Sequence, residues 1–187
     1  MQDIIEEASQ PLHGSPPVFS TSATLELLAS LSLPAAQSLP VIVSLKDRVL
    51  VAHRQLVIST SSSVEQTSDW LMTQSLPTST ELDAENFSKI MGPSPTRPGF
   101  PSRLVVLGAI DTQNLAHVNV IKQAATSWHR GDPPSDNRQV VFVWMDKEKW
   151  ASWLKSVYGV KKGPDPAMVI ADHGVGARLT SHSSFFV

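Results

Sequence analysis

Asp172, His173 and His182 are the residues near the C-terminus with the widest chemical reach. Two imidazoles and a carboxylate can ligate a metal, but metal centres take three or four converging ligands with supporting hydrogen bonds. In a polar turn this trio is expected to be surface, and no metal is expected. His117 and His129 lie twelve positions apart on one predicted helix, too far to act together. The many serines allow a Ser/His/Asp set on paper, yet no G-x-S-x-G elbow supports one. Thr112 stands at a predicted helix start, where it could favour a bound anion or act as a plain cap. Trp144, Trp150 and Trp153 can anchor a peptide, although Trp150 and Trp153, three apart on one helix, are expected in the core. Asn86-Phe87-Ser88 matches a glycan acceptor triplet, which a folded helix would hinder. The chain has no cysteine, which removes thiol chemistry, disulfides and thiolate-bound metal.

These residues sit in a chain of 187 with 41% hydrophobic residues and a formal net charge of −2. Such a composition supports a packed core and argues against disorder. Acids and bases are interspersed, so no basic stripe suggests nucleic acid. The longest apolar runs, such as RLVVLGAI, are too short to span a bilayer. The beginning, MQDIIEEASQPLHG, is acidic where a secretory signal would be basic. The expectation is a cytosolic protein, or a secreted one whose start lies elsewhere.

The elements that must position these residues fall into two sections, with residues 1–15 read as an N-terminal tail. Leu25, Leu28 and Leu31 recur at helical spacing, with a cap among residues 20–22 and a stop at Pro34. PVIVSL and RVLVAH form a predicted hairpin turning at Lys46-Asp47. SSSVEQTSDWLMTQSL reads as a helix with serine caps whose mixed face is marked by Val64, Trp70 with Leu71, and Gln74, ended by Pro77. The pattern then restarts: a short extended TSTEL, a helix DAENFSKIM capped by Asp83, and a proline-rich loop GPSPTRPGFPS. RLVVLGAI is a strand buried on both faces. DTQNLAHVNVIKQAATSWHRG is a helix capped by Asp111 or Thr112, with Leu115, Val118, Ile121 and Ala125 as its apolar stripe and Gly131 closing it. QVVFVWMD is a strand, KEKWASWLKSVYGV a helix with Trp150, Trp153, Leu154 and Val157 on one side, PAMVIAD a strand, and ARLTSHSS an edge-like piece. The second section is thus β-α-β-α-β-α-β-β, an α/β sandwich. The first section's helix, strand, strand, helix hints at a second copy of the same type.

This order, with Pro166 placed against the penultimate strand, resembles the thioredoxin fold. SLPTSTELDAENFSKIM, QVVFVWMDKEKWASWLKSVYGV and DPAMVIAD are similar to the inner, b/b′-type domains of the protein disulfide isomerase family, in which a segment like LPTSTELDAENF joins one thioredoxin-like domain to the next. The resemblance covers roughly residues 17–183. It implies a three-layer α/β/α sandwich: residues 16–76 as the C-terminal part of one thioredoxin-like domain, and 77–187 as a second lacking its last helix. It also implies a cis Asp165-Pro166 bond, which explains a proline at the mouth of a strand: the missing N–H falls where a peptide would lie.

Catalytic members of that family carry Cys-x-x-Cys where this chain reads Asp111-Thr112-Gln113-Asn114. Dithiol exchange is therefore impossible here, and no enzyme activity and no cofactor are expected. The resemblance implies a non-catalytic module that binds unfolded or partly folded polypeptides, or scaffolds other domains of a parent protein, in the endoplasmic reticulum lumen. Asp111, Thr112, Gln113, Asn114, Asp165 and Pro166 are the expected peptide-binding residues. A structural spacer with no ligand is the alternative. An enzyme similar to glutathione transferases, with Thr112 activating the glutathione thiol, is a third, although no helical domain follows.

Overall fold

The computed structural model describes residues 2–12, 25–30, 41–46, 49–55, 62–93, 101–130, 138–172 and 180–182. The expected caps at 20–22, the Lys46-Asp47 turn, most of the proline-rich loop, Gly131 and His173 fall wholly or partly outside them. The chain divides between Leu76 and Pro77 into two compact units.

In the first unit the expected tail folds. Helix α1 (Gln2–Ser9) and a 3-10 turn (Gln10–Leu12) bury Ala8 and Leu12 against Leu71, with Ile42, Val64 and Trp70 half-buried around them. The physical reason is an apolar pair four residues apart, which falls on one face of the helix and its continuing turn. Helix α2 (Leu25–Ser30), strands β1 (Val41–Lys46) and β2 (Val49–Gln55), and helix α3 (Ser62–Gln74) follow. The two strands pair antiparallel, with an irregularity between Ser44 and Leu45. The expected Val64, Trp70 and Leu71 lie on the packed side of α3, Leu71 being buried, and Thr67 is buried with them, while Gln74 is only half-buried.

The second unit contains β3 (Ser79–Glu81), α4 (Phe87–Met91), β4 (Ser102–Ile110), α5 (Leu115–Arg130), β5 (Arg138–Asp146), α6 (Ala151–Tyr158), β6 (Ala167–Asp172) and β7 (Thr180–His182). Its sheet has the order β3-β5-β4-β6-β7. β3, β5 and β4 run parallel, whereas β6 runs antiparallel to β4 and β7 antiparallel to β6. Parallel neighbours need crossovers, and the helices supply them. Both faces of β4 and β5 are buried, which is why these strands read as unbroken apolar runs.

Alternation sorts the two faces. Val106, Ile110, Val140, Phe142 and Trp144 pack with Val118, Ile121 and Ala125 of α5. Their neighbours Val105, Leu107, Ala109, Val141, Val143 and Met145 are fully buried on the opposite side. That side is left to α4 and α6, joined by a chain of rings. Phe87 stacks on Trp150 at 5.9 Å, and Trp153 stands edge-on to Phe87, Trp150 and Tyr158. Leu154 and Tyr158 are the buried residues of α6, while Val157 is exposed, contrary to the expected face.

Two helix ends show local chemistry doing specific work. Arg103 donates Nη1 to the carbonyls of Lys89 and Ile90 at 2.7 and 3.0 Å, so its charge meets the C-terminal end of α4. Gly159 closes α6 at φ 65°, a left-handed conformation that favours glycine.

Candidate functional site

The site is built where β4 ends and β6 begins. Ala109 pairs with Ala167 as the last rung of their antiparallel ladder. Residues 110–111 continue from β4 and residues 165–166 lead into β6 at that same end, and Lys147 hydrogen-bonds the carbonyls of both Ile110 and Asp165. The six expected residues thus converge from two segments at one end of the sheet. β6 is an interior strand, yet Pro166 costs it nothing, because the proline stands just outside the last pair.

The 111–114 segment is a tight turn held by its own side chains. Asp111 Oδ1 accepts the Gln113 N–H at 2.9 Å, and the Asp111 carbonyl accepts the Asn114 N–H at 3.1 Å. The helix cap is Asn114, not Asp111 or Thr112: its Oδ1 accepts the Ala116 N–H at 3.1 Å. Asp111 and Thr112 are displaced from that role because the turn consumes the residues before the helix. Asn114→Ala should therefore cost about 1 kcal/mol, read as a lower denaturant midpoint with an unchanged slope.

Thr112 points elsewhere. Its hydroxyl donates to Asp146 Oδ2 at 3.1 Å, so the one proton it has is committed and is not free to stabilise a thiolate. Asp146 also accepts the Lys149 N–H through Oδ1 at 2.7 Å. The Lys149 bond first, and the Thr112 bond with it, outweigh partial burial and hold the Asp146 carboxyl below its ordinary value. A lowered folded-state value stabilises the native state fully above the ordinary aspartate range, about pH 4. That contribution is lost as pH falls through the folded-state value. Denaturant midpoints measured from pH 7 to 3 should fall less steeply for Asp146→Asn than for the parent chain.

Lys147 ties the two segments together, and nothing in the sequence pattern singled it out. Its backbone N–H donates to the Ile110 carbonyl at 2.9 Å. Its side chain, only 9% exposed, runs inward and donates Nζ to the Asp165 carbonyl. One residue thereby fixes the end of β4, the end of β5 and the approach to Pro166. Lys147→Met keeps most of the stem and removes the ammonium. The expected result is faster amide exchange at residues 163–167, with the exchange of core amides in β4 and β5 nearly unchanged.

Beside this frame lies Leu115, expected in the apolar stripe of α5 but 71% exposed. The stripe begins at Val118, which packs in the cluster containing Ile110, the last residue of its strand. One turn earlier there is no strand left to cover a side chain. Among the described residues no other large apolar side chain is so exposed.

The remaining candidates do not assemble. Asp172 pairs with Arg138 at 3.4 Å, and no group of three metal-ligating residues occurs among the described residues. Trp150 and Trp153 are half-buried in the ring chain, and Trp144 is buried beneath Lys122, whose Nζ lies 5.3 Å from its ring centre. Asn86 uses its own side chain in the fold: Nδ2 donates to the Glu81 carbonyl at 2.7 Å and Oδ1 accepts the Asp83 N–H at 3.0 Å. Asp83, expected as the α4 cap, instead accepts the N–H groups of Glu85 and Asn86 in the turn before it.

The order and directions of these five strands, with crossover helices between the parallel ones, decide the fold class. The second unit is thioredoxin-like. No family model and no curated protein matches the chain. A solved structure described as the bb fragment of ERp72 overlaps it with a TM-score of 0.49 at 16% identity, over 96% of this chain and 73% of that one. In the thioredoxin-like frame, residues 111–114 occupy the turn before the second helix, and the chain's lack of cysteine removes any dithiol from it. No described helix is long and apolar enough to cross a membrane.

Proposed function

We propose that the chain is a redox-inactive thioredoxin-like module of the disulfide-isomerase type that binds unfolded or partly folded polypeptide. The observation that supports this reading is the convergence of the 111–114 turn and the Pro166 approach beside an uncovered Leu115. An extended client backbone can lie along Asp165-Pro166, where the proline offers no donor to a neighbouring strand. A client's apolar side chain can then cover Leu115. Asp111, Thr112, Gln113, Asn114, Asp165 and Pro166 form the proposed binding surface, and a cis bond at Pro166 belongs to the same proposal. Residues 16–76, with their helix, antiparallel hairpin and helix, are read as the C-terminal part of a preceding domain of the same type. The role is chaperone-like rather than enzymatic, and the compartment that goes with it is the endoplasmic reticulum lumen.

Amide spectra of the labelled chain, titrated with an unfolded cysteine-free polypeptide, test this reading. Saturable shifts clustered at 111–115 and 164–167 are expected. Spectra that stay put would favour a spacer that only holds other domains apart.

A further inference from the structure

The loop that leads into Pro166 closes over a cavity of about 170 Å³ with a mixed lining. Leu154 and Val160, both buried, give it an apolar floor. Lys147, Lys161 and Lys162 surround it, against the single carboxylate of Glu148. Lys161 and Lys162 are exposed on the rim, whereas Lys147 is in the wall with its ammonium on the Asp165 carbonyl. Two exposed lysines, with the buried Lys147 behind them, beside a partly apolar recess favour a ligand that brings a carboxylate together with a hydrophobic stem. The recess also adjoins the 164–166 segment along which a client would run.

We infer that this cavity is a carboxylate-binding subsite, selecting client segments in which an acidic residue neighbours an apolar one. The inference rests on the polypeptide-binding reading above and adds a preference to it. Lys161 and Lys162 steer and pair with the carboxylate at the rim, the field of Lys147 reaches it from the wall, and Ala151 and Val160, backed by Leu154, receive the adjoining apolar group. Exposed pairs are each weak, so two together should favour an acidic client by about fivefold at low salt, and the advantage should shrink as salt is added.

The test uses the full chain and one extended, end-capped, cysteine-free peptide in two versions, neutral or with glutamates beside its leucines. Dissociation constants come from amide shifts at low and moderate salt. Support would be tighter binding of the acidic version, shifts reaching residues 160–163, and loss of the advantage in the double variant Lys161→Glu/Lys162→Glu with its remaining spectrum unchanged. Equal binding of both versions, or an advantage kept in the double variant, overturns the subsite while leaving polypeptide binding standing. Binding of neither version overturns both. Inorganic phosphate that saturates residues 160–163 more tightly than the acidic peptide would overturn the assignment to clients.

Discussion

Gly108→Ala should lower folding stability by about 1–3 kcal/mol, and Ile121→Val in the same molecule should return part of that loss. Gly108 lies in the middle of β4, where a glycine is ordinarily a weakness. Here it lets α5 approach: a Cβ at this position would overlap Ile121 Cδ1 and lie 3.3 Å from its Cγ1. Ile121 is 2% exposed and surrounded by the α5-side cluster, so a shift of its side chain away from a methyl at 108 presses on buried neighbours. Ile121→Val alone should cost about 0.5–1.5 kcal/mol by leaving a small void. It also removes Cδ1, the atom that an alanine methyl at 108 would strike. The double variant should therefore lose less than the sum of the single losses, and urea titrations of the four proteins measure the difference. Strict additivity would mean that the β4–α5 approach is looser than described.

Trp153→Ala should destabilise by about 2–4 kcal/mol, below the full range for a buried tryptophan because the ring is half-exposed. Trp153 contacts three other rings: Phe87 at 5.3 Å, Trp150 at 6.1 Å and Tyr158 at 5.2 Å. Edge-to-face pairs add about 0.5–1.5 kcal/mol each beyond burial. Removing this ring leaves Phe87 stacked on Trp150 alone and uncovers Tyr158, so α4 and α6 lose their main mutual contact. Thermal unfolding followed by circular dichroism checks the size of the effect. A change below about 0.5 kcal/mol would show that the ring chain is decorative.

Much of the second unit could be read before any coordinates. RLVVLGAI and QVVFVWMD are apolar without alternation because both faces of β4 and β5 are covered, and period alone separates them from the amphipathic α5. The convergence of 111–114 with Pro166 followed from the strand order, which the sequence resemblance supplied. What escaped notice depends on tertiary closeness. Lys147 lies in the charged run Asp146-Lys147-Glu148-Lys149, and composition marks such a run as surface. Only the return of the chain at Asp165 gives its ammonium an inward partner. Leu115 fits the helical spacing of Val118 and Ile121, but spacing carries no record of where the strand beneath the helix ends. Asp111 and Thr112 precede Asn114 with equally suitable capping side chains, so residue type alone does not single out Asn114 as the cap. The N-terminal helix has an apolar side in Ile4, Ile5 and Ala8, but eight residues are too few to hold a helix alone, and only the packing of Ala8 and Leu12 against Leu71 distinguishes it from a tail.

The most direct test of the account is the affinity of an unfolded, cysteine-free polypeptide for the parent chain and for Leu115→Glu, measured by fluorescence anisotropy. Leu115 is exposed and packs against nothing essential, so the variant should keep its fold. Binding should be about tenfold weaker in the variant, the size expected for losing most of one leucine's burial. Equal affinity in the two proteins would contradict this and place any client surface away from the junction of β4, α5 and the Pro166 approach.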